Sequence, residues 1–476
     1  MTTGRDAVGA LKALKAELGD RLSTDPDRLE EQREDRSGHR SAGAPLALVR
    51  ARSIEDVQTV CRTASAHGIP VVTRGAGTGL AGGACAGPGE IVLSTQDMAE
   101  VLEISRQNRL AVVQPGILNG ALNARLAEHG LWWAPDPASR DISTVGGNIA
   151  MNAGGLLCAK YGVTRESVLA LKVVLADGRL ISVGHRTVKG VSGYDLCALM
   201  IGSEGTLGVI VECTLALRPA VTGPRPTVGA SFPSVVAAAA AASAVVAEGL
   251  TASLLELMDG PTVECVEQLR GQRIGDPGSS FLLAQTDGPD GAEVAARIAA
   301  ILEQAGGTVR LAADEAEGDD LVGLRRSAFP ALEARAGRMA RAGGFEGPGS
   351  ILVEDIAVPR DRLAEAFERI REIETRHGLL IPTTTHAGDG NLHPIFLVGD
   401  DEVPERIWAA AGDVFRIALE LGGTLTGEHG IGLLKRRWLG EELGPEQLEL
   451  QTRIREAFDP QGILNPGKAL PSRPTN

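Results

Sequence analysis

The sequence predicts an α+β protein with more than one domain, on three observations. Short apolar strands alternate with helical stretches from about residue 45 onward. A connector containing proline and glycine, residues 220–229, separates two such series. At 476 residues the chain is also longer than one hydrophobic core organises. Its 60 glycines and 3% aromatic content point to many tight turns and close backbone approaches.

Taken in order, residues 6–40 read as a polar helical segment that ends in the charged run Glu30-Glu31-Gln32-Arg33-Glu34-Asp35-Arg36, either a solvated cap or a lid over the next domain. A strand at 46–49, a helix at 54–67 and a strand at 69–73 open the first α/β series. Further strands are expected at 91–94, 110–114 and 168–175, with a helix at 119–128, and segments at 208–211 and 214–219 close it. Beyond the connector, strands at 253–258, 281–285 and 351–358 alternate with helices at 235–247, 292–304 and 361–377. Two helices crossing one antiparallel sheet are expected there, with a helical tail from Pro404. The expected division is therefore an N-terminal helical segment, 1–44, a first domain, 45–220, and a second, 221–470. No internal repeat at a solenoid period is evident.

A net charge of −14 argues against nucleic acid or an anionic membrane surface as a partner. None of the six cysteines forms a Cys-x-x-Cys pair, which excludes an iron–sulfur or zinc-ribbon motif. The opening residues lack a secretory apolar region. The longest apolar run, 235–247, is shorter than the roughly 20 residues of a membrane span. A soluble cytoplasmic protein is expected.

Three glycine clusters carry the first chemical signal. Arg74-Gly75-Ala76-Gly77-Thr78-Gly79-Leu80-Ala81-Gly82-Gly83 follows a strand and contains a formal G-x-G-x-x-G. A Rossmann site requires that motif to open a helix, whereas here it runs into Ala84-Cys85-Ala86-Gly87-Pro88-Gly89 and another strand. What remains is a loop whose backbone N–H groups can wrap a pyrophosphate. Pro135-Asp136-Pro137-Ala138-Ser139 precedes Ser143-Thr144-Val145-Gly146-Gly147-Asn148-Ile149-Ala150-Met151-Asn152-Ala153-Gly154-Gly155. Its mixture of small and amide side chains suits a flat heterocycle packed on bare backbone. Gly202-Ser203-Glu204-Gly205-Thr206-Leu207-Gly208 is the third cluster.

The second signal lies near the C-terminus. His386-Ala387-Gly388-Asp389-Gly390-Asn391-Leu392-His393 and Thr426-Gly427-Glu428-His429-Gly430-Ile431-Gly432 hold three of only eight histidines. Two imidazoles and a carboxylate, His386, His393 and Glu428, can hold a divalent metal, with zinc, manganese and iron all accepting such donors. His429 is then left over as a base, with an ordinary pKa of roughly 6.5. Asp389 between two glycines reads as a turn former. Glu354 and Asp355, beside a strand, face either the site or solvent.

Together these residues resemble the PCMH-type FAD-binding domain from about Pro45 to Ala220. They are followed by the C-terminal domain of FAD-linked oxidases, in the group of D-lactate dehydrogenase, the glycolate oxidase FAD-subunit and D-2-hydroxyglutarate dehydrogenase. The closing Asn465-Pro466-Gly467-Lys468 fits the same pattern. The resemblance implies a two-subdomain PCMH-type FAD-binding domain, a ferredoxin-like α/β cap domain and a short helical C-terminal segment. It places the pyrophosphate on the first loop, at Arg74, Gly75, Gly77, Thr78, Gly79, Leu80 and Gly82. It lines the isoalloxazine with Pro135, Asp136, Ser139, Thr144, Gly146, Gly147, Asn148, Asn152 and Ala153. It adds Tyr161, Gly162, Glu204, Val209, Ile210 and Asn465 to the cofactor set. Relatives with covalent flavin carry a histidine in the glycine loop; Thr78 and Gly79 stand here, so non-covalent FAD is expected.

The activity so implied is oxidation of a D-2-hydroxy acid to the 2-oxo acid. The metal polarises the hydroxyl, His429 takes its proton, and the Cα hydride passes to flavin. Asn391 is placed to hydrogen-bond the substrate, and Arg325, with Arg326 as rival, to clamp its carboxylate. Relatives acting on hydroxyglutarate carry a lysine where Val353 stands, and Phe329 follows Arg325 by four residues, expected to be one helical turn. Both favour glycolate, D-lactate or a larger apolar acid. Electrons must leave through a quinone, an electron-transfer flavoprotein, a partner subunit or oxygen. A subunit that works only with partners is one alternative, a homodimer another arrangement. A transferase like alkyl-dihydroxyacetonephosphate synthase is disfavoured because the chain lacks that family's run of histidines.

Overall fold

The strand Ala47–Arg50 runs parallel to Ile91–Ser94, which runs parallel in turn to Val71–Arg74, with Ala47 and Val71 both opposite Ile91. The crossover between the first and third of these is the helix Ile54–His67. Ser53 starts it by accepting from the Asp56 N–H, and Gly68, at φ 66°, ends it in the left-handed conformation. Val57, Val60, Cys61 and Ala64 form its buried face and pack into one core with Val49, Val71 and Ile91. The first glycine loop therefore leaves the end of a parallel strand, Val71–Arg74, at the edge of this sheet.

In this computed structural model, which describes residues 6–345, 347, 349–400 and 403–471, the chain divides into two compact units. The first comprises residues 1–154, 162–220 and 428–476; the second comprises 155–161 and 221–427. These compact units differ from the expected division at three places. The N-terminal segment is no separate element: Ala10, Leu14 and Leu18 of the helix Ala7–Leu18 enter the same core as Val49 and Val71, and Leu22–Ser23 pairs antiparallel with Ala47–Arg50. Arg21 also reaches the buried Asp56 at 2.6 Å. The C-terminal stretch from Glu428 belongs to the first unit, because Ile463 and Leu464 complete that core and Leu464 bridges Val71. Residues 155–161 belong to the second unit, where Leu156 joins the core around Met258 and Phe281.

The first unit has a further five-stranded antiparallel sheet, ordered Val101–Ser105, Leu110–Val113, Val209–Ala216, Val168–Val174, Leu180–Gly184. The segments expected at 208–211 and 214–219 form one strand over Val209–Ala216, with irregular register near Glu212 and Thr214, while Arg218–Pro219 pairs separately with Leu131–Trp132. The core of this sheet holds the fully buried Trp133, whose Nε1–H donates to the Ser167 carbonyl at 3.0 Å. The second glycine cluster, read as bare backbone, contains the helix Val145–Met151.

The second unit is built on an eight-stranded sheet. Thr308–Leu311, Thr227–Phe232, Ser280–Gln285, Leu254–Met258, Thr383–His386, Asn391–Val398 and Ser350–Val353 follow one another, all antiparallel, and Ile356–Ala357 also pairs with Asn391–Val398. Thr227–Phe232 lies partly inside the expected connector: Pro224 and Pro226 hid its start. The strand expected at 351–358 is broken in two, with Glu354 and Asp355 at the break. Among the described residues, no helix is long and apolar enough to cross a membrane.

Candidate active site

In the first unit the glycine clusters come together. Thr144 caps the helix Val145–Met151 by accepting from the Gly147 N–H at 3.2 Å, and the same Oγ1 stands 2.3 Å from where a Cβ on Gly75 would be. A Cβ on Gly146 would lie 2.5 Å from that of Pro115. These glycines are thus close-approach positions, and they join the loop after Val71–Arg74 to the helix Val145–Met151. The Arg74 guanidinium donates to the carbonyls of Ala84, at 2.8 Å, and Glu34, at 2.9 Å, and it fills the space that a side chain on Gly77 would need. The Gly79 carbonyl accepts from the Arg36 N–H at 3.0 Å, and Asp35 accepts from the Ala84 N–H at 3.3 Å. The charged run of the N-terminal segment is therefore a brace for the glycine loop.

Four buried polar atoms around these loops have no protein partner: Thr73 Oγ1, Ser143 Oγ, Asn148 Nδ2 and Asn465 Oδ1. Buried polar groups are otherwise almost always paired, so their clustering on three cofactor-type segments fits a polar ligand such as FAD. Asn465 donates through Nδ2 to the carbonyls of Glu204, at 2.7 Å, and Gly83, at 3.1 Å, binding the first and third clusters. Asn152, at φ 50°, ends the helix Val145–Met151. Glu204, also left-handed at φ 52°, accepts from the N–H groups of Ile431 and Gly432, both at 2.8 Å. Burial raises its carboxyl above the usual range. Its side chain serves the His429 loop, so toward a cofactor it has its backbone to offer. Val209 and Ile210 are packed in the cores of the first unit. Tyr161 lies in the second unit, where its hydroxyl donates to Asp287 at 2.6 Å.

Glu428 and His429 belong to the first unit. Glu428 lies against the bare backbone of Gly154, and His429 Nε2 is 3.7 Å from Glu428 Oε1.

In the second unit the histidine motif is a hairpin. Thr383–His386 turns through 387–390 into Asn391–Val398, with Asp389 Oδ1 accepting the Asn391 N–H at 3.2 Å, as a turn former should. His386 stands opposite Asn391, and His393 opposite Thr384, so the period of two puts both imidazoles on one face. Their ring centres are 5.1 Å apart, edge to face. On its other side His386 is directly opposite Glu256 in the strand Leu254–Met258. His386 Nδ1 is 2.8 and 3.0 Å from the two oxygens of that carboxylate.

Arg325, only 4% exposed near the end of the helix Glu315–Arg326, brings Nε to 2.9 Å from Glu256 Oε2, at an angle that makes it an ion pair more than a directed hydrogen bond. Asp355, at the strand break, accepts from Asn391 Nδ2 at 2.7 Å and from Thr426 Oγ1 at 2.6 Å, and lies 3.7 Å from His393 Nδ1. Glu354 and Asp355 are both buried, so neither faces solvent. Asn391 Nδ2 also donates to the Ile356 carbonyl at 2.8 Å, leaving Oδ1 as the atom it can offer a ligand.

Phe329 belongs to the next helix, Ala328–Ala342, not to the helix of Arg325, because Ser327 interrupts the two; its ring centre is 6.4 Å from that of His393. Val353 is in the apolar core. Glu256 was missed by the sequence reading, although one charged residue inside Leu254-Leu255-Glu256-Leu257-Met258 is the signal that could have found it.

The cradle and the hairpin define an oxidoreductase that carries FAD. The chain belongs to the FAD-linked oxidases: residues 223–469 match the model described as FAD linked oxidases, C-terminal domain, and residues 45–184 match an FAD binding domain. It is 39% identical to the glycolate oxidase subunit GlcD of Bacillus subtilis, over 89% of this chain and 88% of that one. It is 38% identical to the D-lactate dehydrogenase of Archaeoglobus fulgidus, over 90% and 92%. Among solved structures, 4-ethylphenol oxidase from Gulosibacter chungangensis matches with a TM-score of 0.75 at 18% identity, covering 98% of each chain, a likeness of fold.

Proposed function

We propose that the chain oxidises a D-2-hydroxy acid of the glycolate or D-lactate type to the 2-oxo acid, with a divalent metal held by His386, His393 and Glu428. The observation that carries this reading is the pair of imidazoles on one face of the hairpin, each beside a buried carboxylate, an arrangement typical of metal-ligating histidines. Relatives named for glycolate and D-lactate support the substrate class. A bound metal would supply Lewis-acid stabilisation of a negative oxygen. FAD, when bound, supplies the acceptor for the hydride that leaves Cα.

His429 takes the hydroxyl proton on a ring nitrogen, so that loss of one hydride and one proton turns the carbinol into a carbonyl. Arg325, held through Nε by Glu256, presents its remaining N–H groups to the substrate carboxylate. Asn391 accepts from the substrate through Oδ1. Phe329 beside His393 and the apolar Val353 disfavour a second substrate carboxylate. Anaerobic mixing of the flavin- and metal-loaded protein with D- and L-2-hydroxy acids tests the reading. Bleaching of the flavin by a D-acid, abolished by chelator and by His429→Ala, is expected; retention of full bleaching after either treatment would sink it.

A second reading is favoured by the relatives named as subunits of glycolate oxidase: the chain carries FAD but passes electrons only within a complex. Reduction of its own flavin followed by turnover with a soluble quinone or oxygen would remove that reading. Location in the cytoplasm, or at a membrane through such a partner, and homodimer formation belong to the same test.

A further inference from the structure

Two carboxylates stand behind the histidine pair, and the role of Glu256 reaches beyond the reaction scheme on which this inference rests. It sits in a strand buried along its whole length and is itself 1% exposed. A carboxylate there is costly unless it is paired. Glu256 faces two nitrogen groups: His386 Nδ1, at 2.8 and 3.0 Å from its two oxygens, and, as an ion pair, Arg325 Nε at 2.9 Å from Oε2.

We infer that Glu256 is a positioning residue: it holds His386 in the tautomer with the proton on Nδ1, directing the Nε2 lone pair to a divalent cation, and anchors Arg325 with the same carboxylate. An ionised carboxylate only accepts, so a neutral His386 in contact with it must donate from Nδ1 and keep Nε2 as the acceptor. Arg325 has donors alone and cannot take a proton from Glu256. The ladder register adds rigidity, because Glu256 and His386 are opposite each other across two hydrogen-bonded strands. One side chain thus sets both the ligand and the clamp.

The test is Glu256→Gln in the full FAD-loaded chain. A glutamine keeps the volume but has one accepting and one donating end. Arg325 can face only the oxygen, so the amide N–H turns to His386 and favours the opposite tautomer, with Nε2 protonated and unable to ligate. With eight histidines in the chain, nitrogen-15 histidine labelling resolves the tautomers, and loss of one set of signals in His386→Gln assigns them. Calorimetric titration with zinc alone gives the affinity.

The wild type should show the Nδ1–H form, and Glu256→Gln the Nε2–H form, with zinc affinity weakened roughly 10–100-fold at unchanged FAD content. A wild-type Nε2–H tautomer, or a variant that binds zinc as tightly as the wild type, overturns the inference. A wild-type Nδ1–H tautomer in a protein that binds neither zinc nor manganese removes the metal reading but leaves the setting of His386 by Glu256 intact. If Glu256→Gln does not fold, the wild-type tautomer alone decides.

Discussion

The glycine cradle and the histidine hairpin are built by opposite means. The cradle depends on missing side chains: Gly75 and Gly146 let Thr144 and Pro115 approach to distances that no Cβ would allow. The hairpin depends on side chains that are costly to bury, with Glu256 and Asp355 standing behind the imidazoles. The first should fail by steric exclusion, as flavin loss; the second should fail electrostatically, as lost stability or a displaced ligand.

Gly146→Val tests the first mode at its strongest. The added carbons meet Pro115, whose ring and carbonyl cannot yield, so the helix Val145–Met151 must shift from the strand-end loop. We expect the purified variant to retain less than about a tenth of the wild-type flavin, a loss equivalent to some 1.4 kcal/mol or more of binding energy. Normal flavin absorbance per protein would show that the close approach is not needed.

Arg325→Met tests the second mode. It leaves Glu256 buried beside His386 without its cationic partner, and removing one member of a buried ion pair costs about 3–5 kcal/mol. Urea unfolding of the variant should show that loss while flavin content stays near normal. If stability is unchanged, the pair is compensated and the contrast between the two modes weakens.

Asp259 extends the electrostatic mode to pH. It caps the helix Gly260–Arg270 by accepting from the Thr262 N–H and also accepts from the Thr383 N–H, both at 2.9 Å, so it anchors the strand that ends at His386. Burial pushes its carboxyl up from 3.8 to about 7. With the folded pKa raised, the folded state holds more protons than the unfolded one between these values. The contribution is therefore fully present below about pH 4 and is lost as pH rises through 7. At about 1.4 kcal/mol per unit, the ceiling is roughly 4 kcal/mol. Asp259→Asn should flatten the slope of stability against pH in that window; an unchanged slope would assign it to other groups.

What the sequence disclosed divides along the same contrast. The glycine clusters and the His-Ala-Gly-Asp-Gly-Asn-Leu-His segment are contiguous, so residue type and spacing were enough to read them. Glu256 reaches His386 through strand register across 130 positions, and no local pattern encodes that pairing. Asp355 faces His393 only because the strand expected at 351–358 breaks beside it. Ile463 and Leu464 pack into the core around Val49 and Val71, so by contact the C-terminal segment joins the first unit although it falls within the 223–469 family match. Local propensity showed most elements; long-range closure of the cores decided the units.

The smallest effect is expected where the cradle has one removable polar atom. Thr144→Ala deletes the oxygen that accepts from Gly147, a cap loss of about 1 kcal/mol. It also deletes the atom 2.3 Å from the Cβ position of Gly75, and the Thr144 Cβ that remains lies 3.6 Å away, ordinary contact. Gly75→Ala should therefore be destabilising in the wild type and nearly neutral in the Thr144→Ala background. A double-mutant cycle on flavin content and urea stability should give a favourable coupling of about 1–2 kcal/mol. Strict additivity would mean that Thr144 can swing aside, and that the cradle tolerates a methyl group where its geometry says it excludes one.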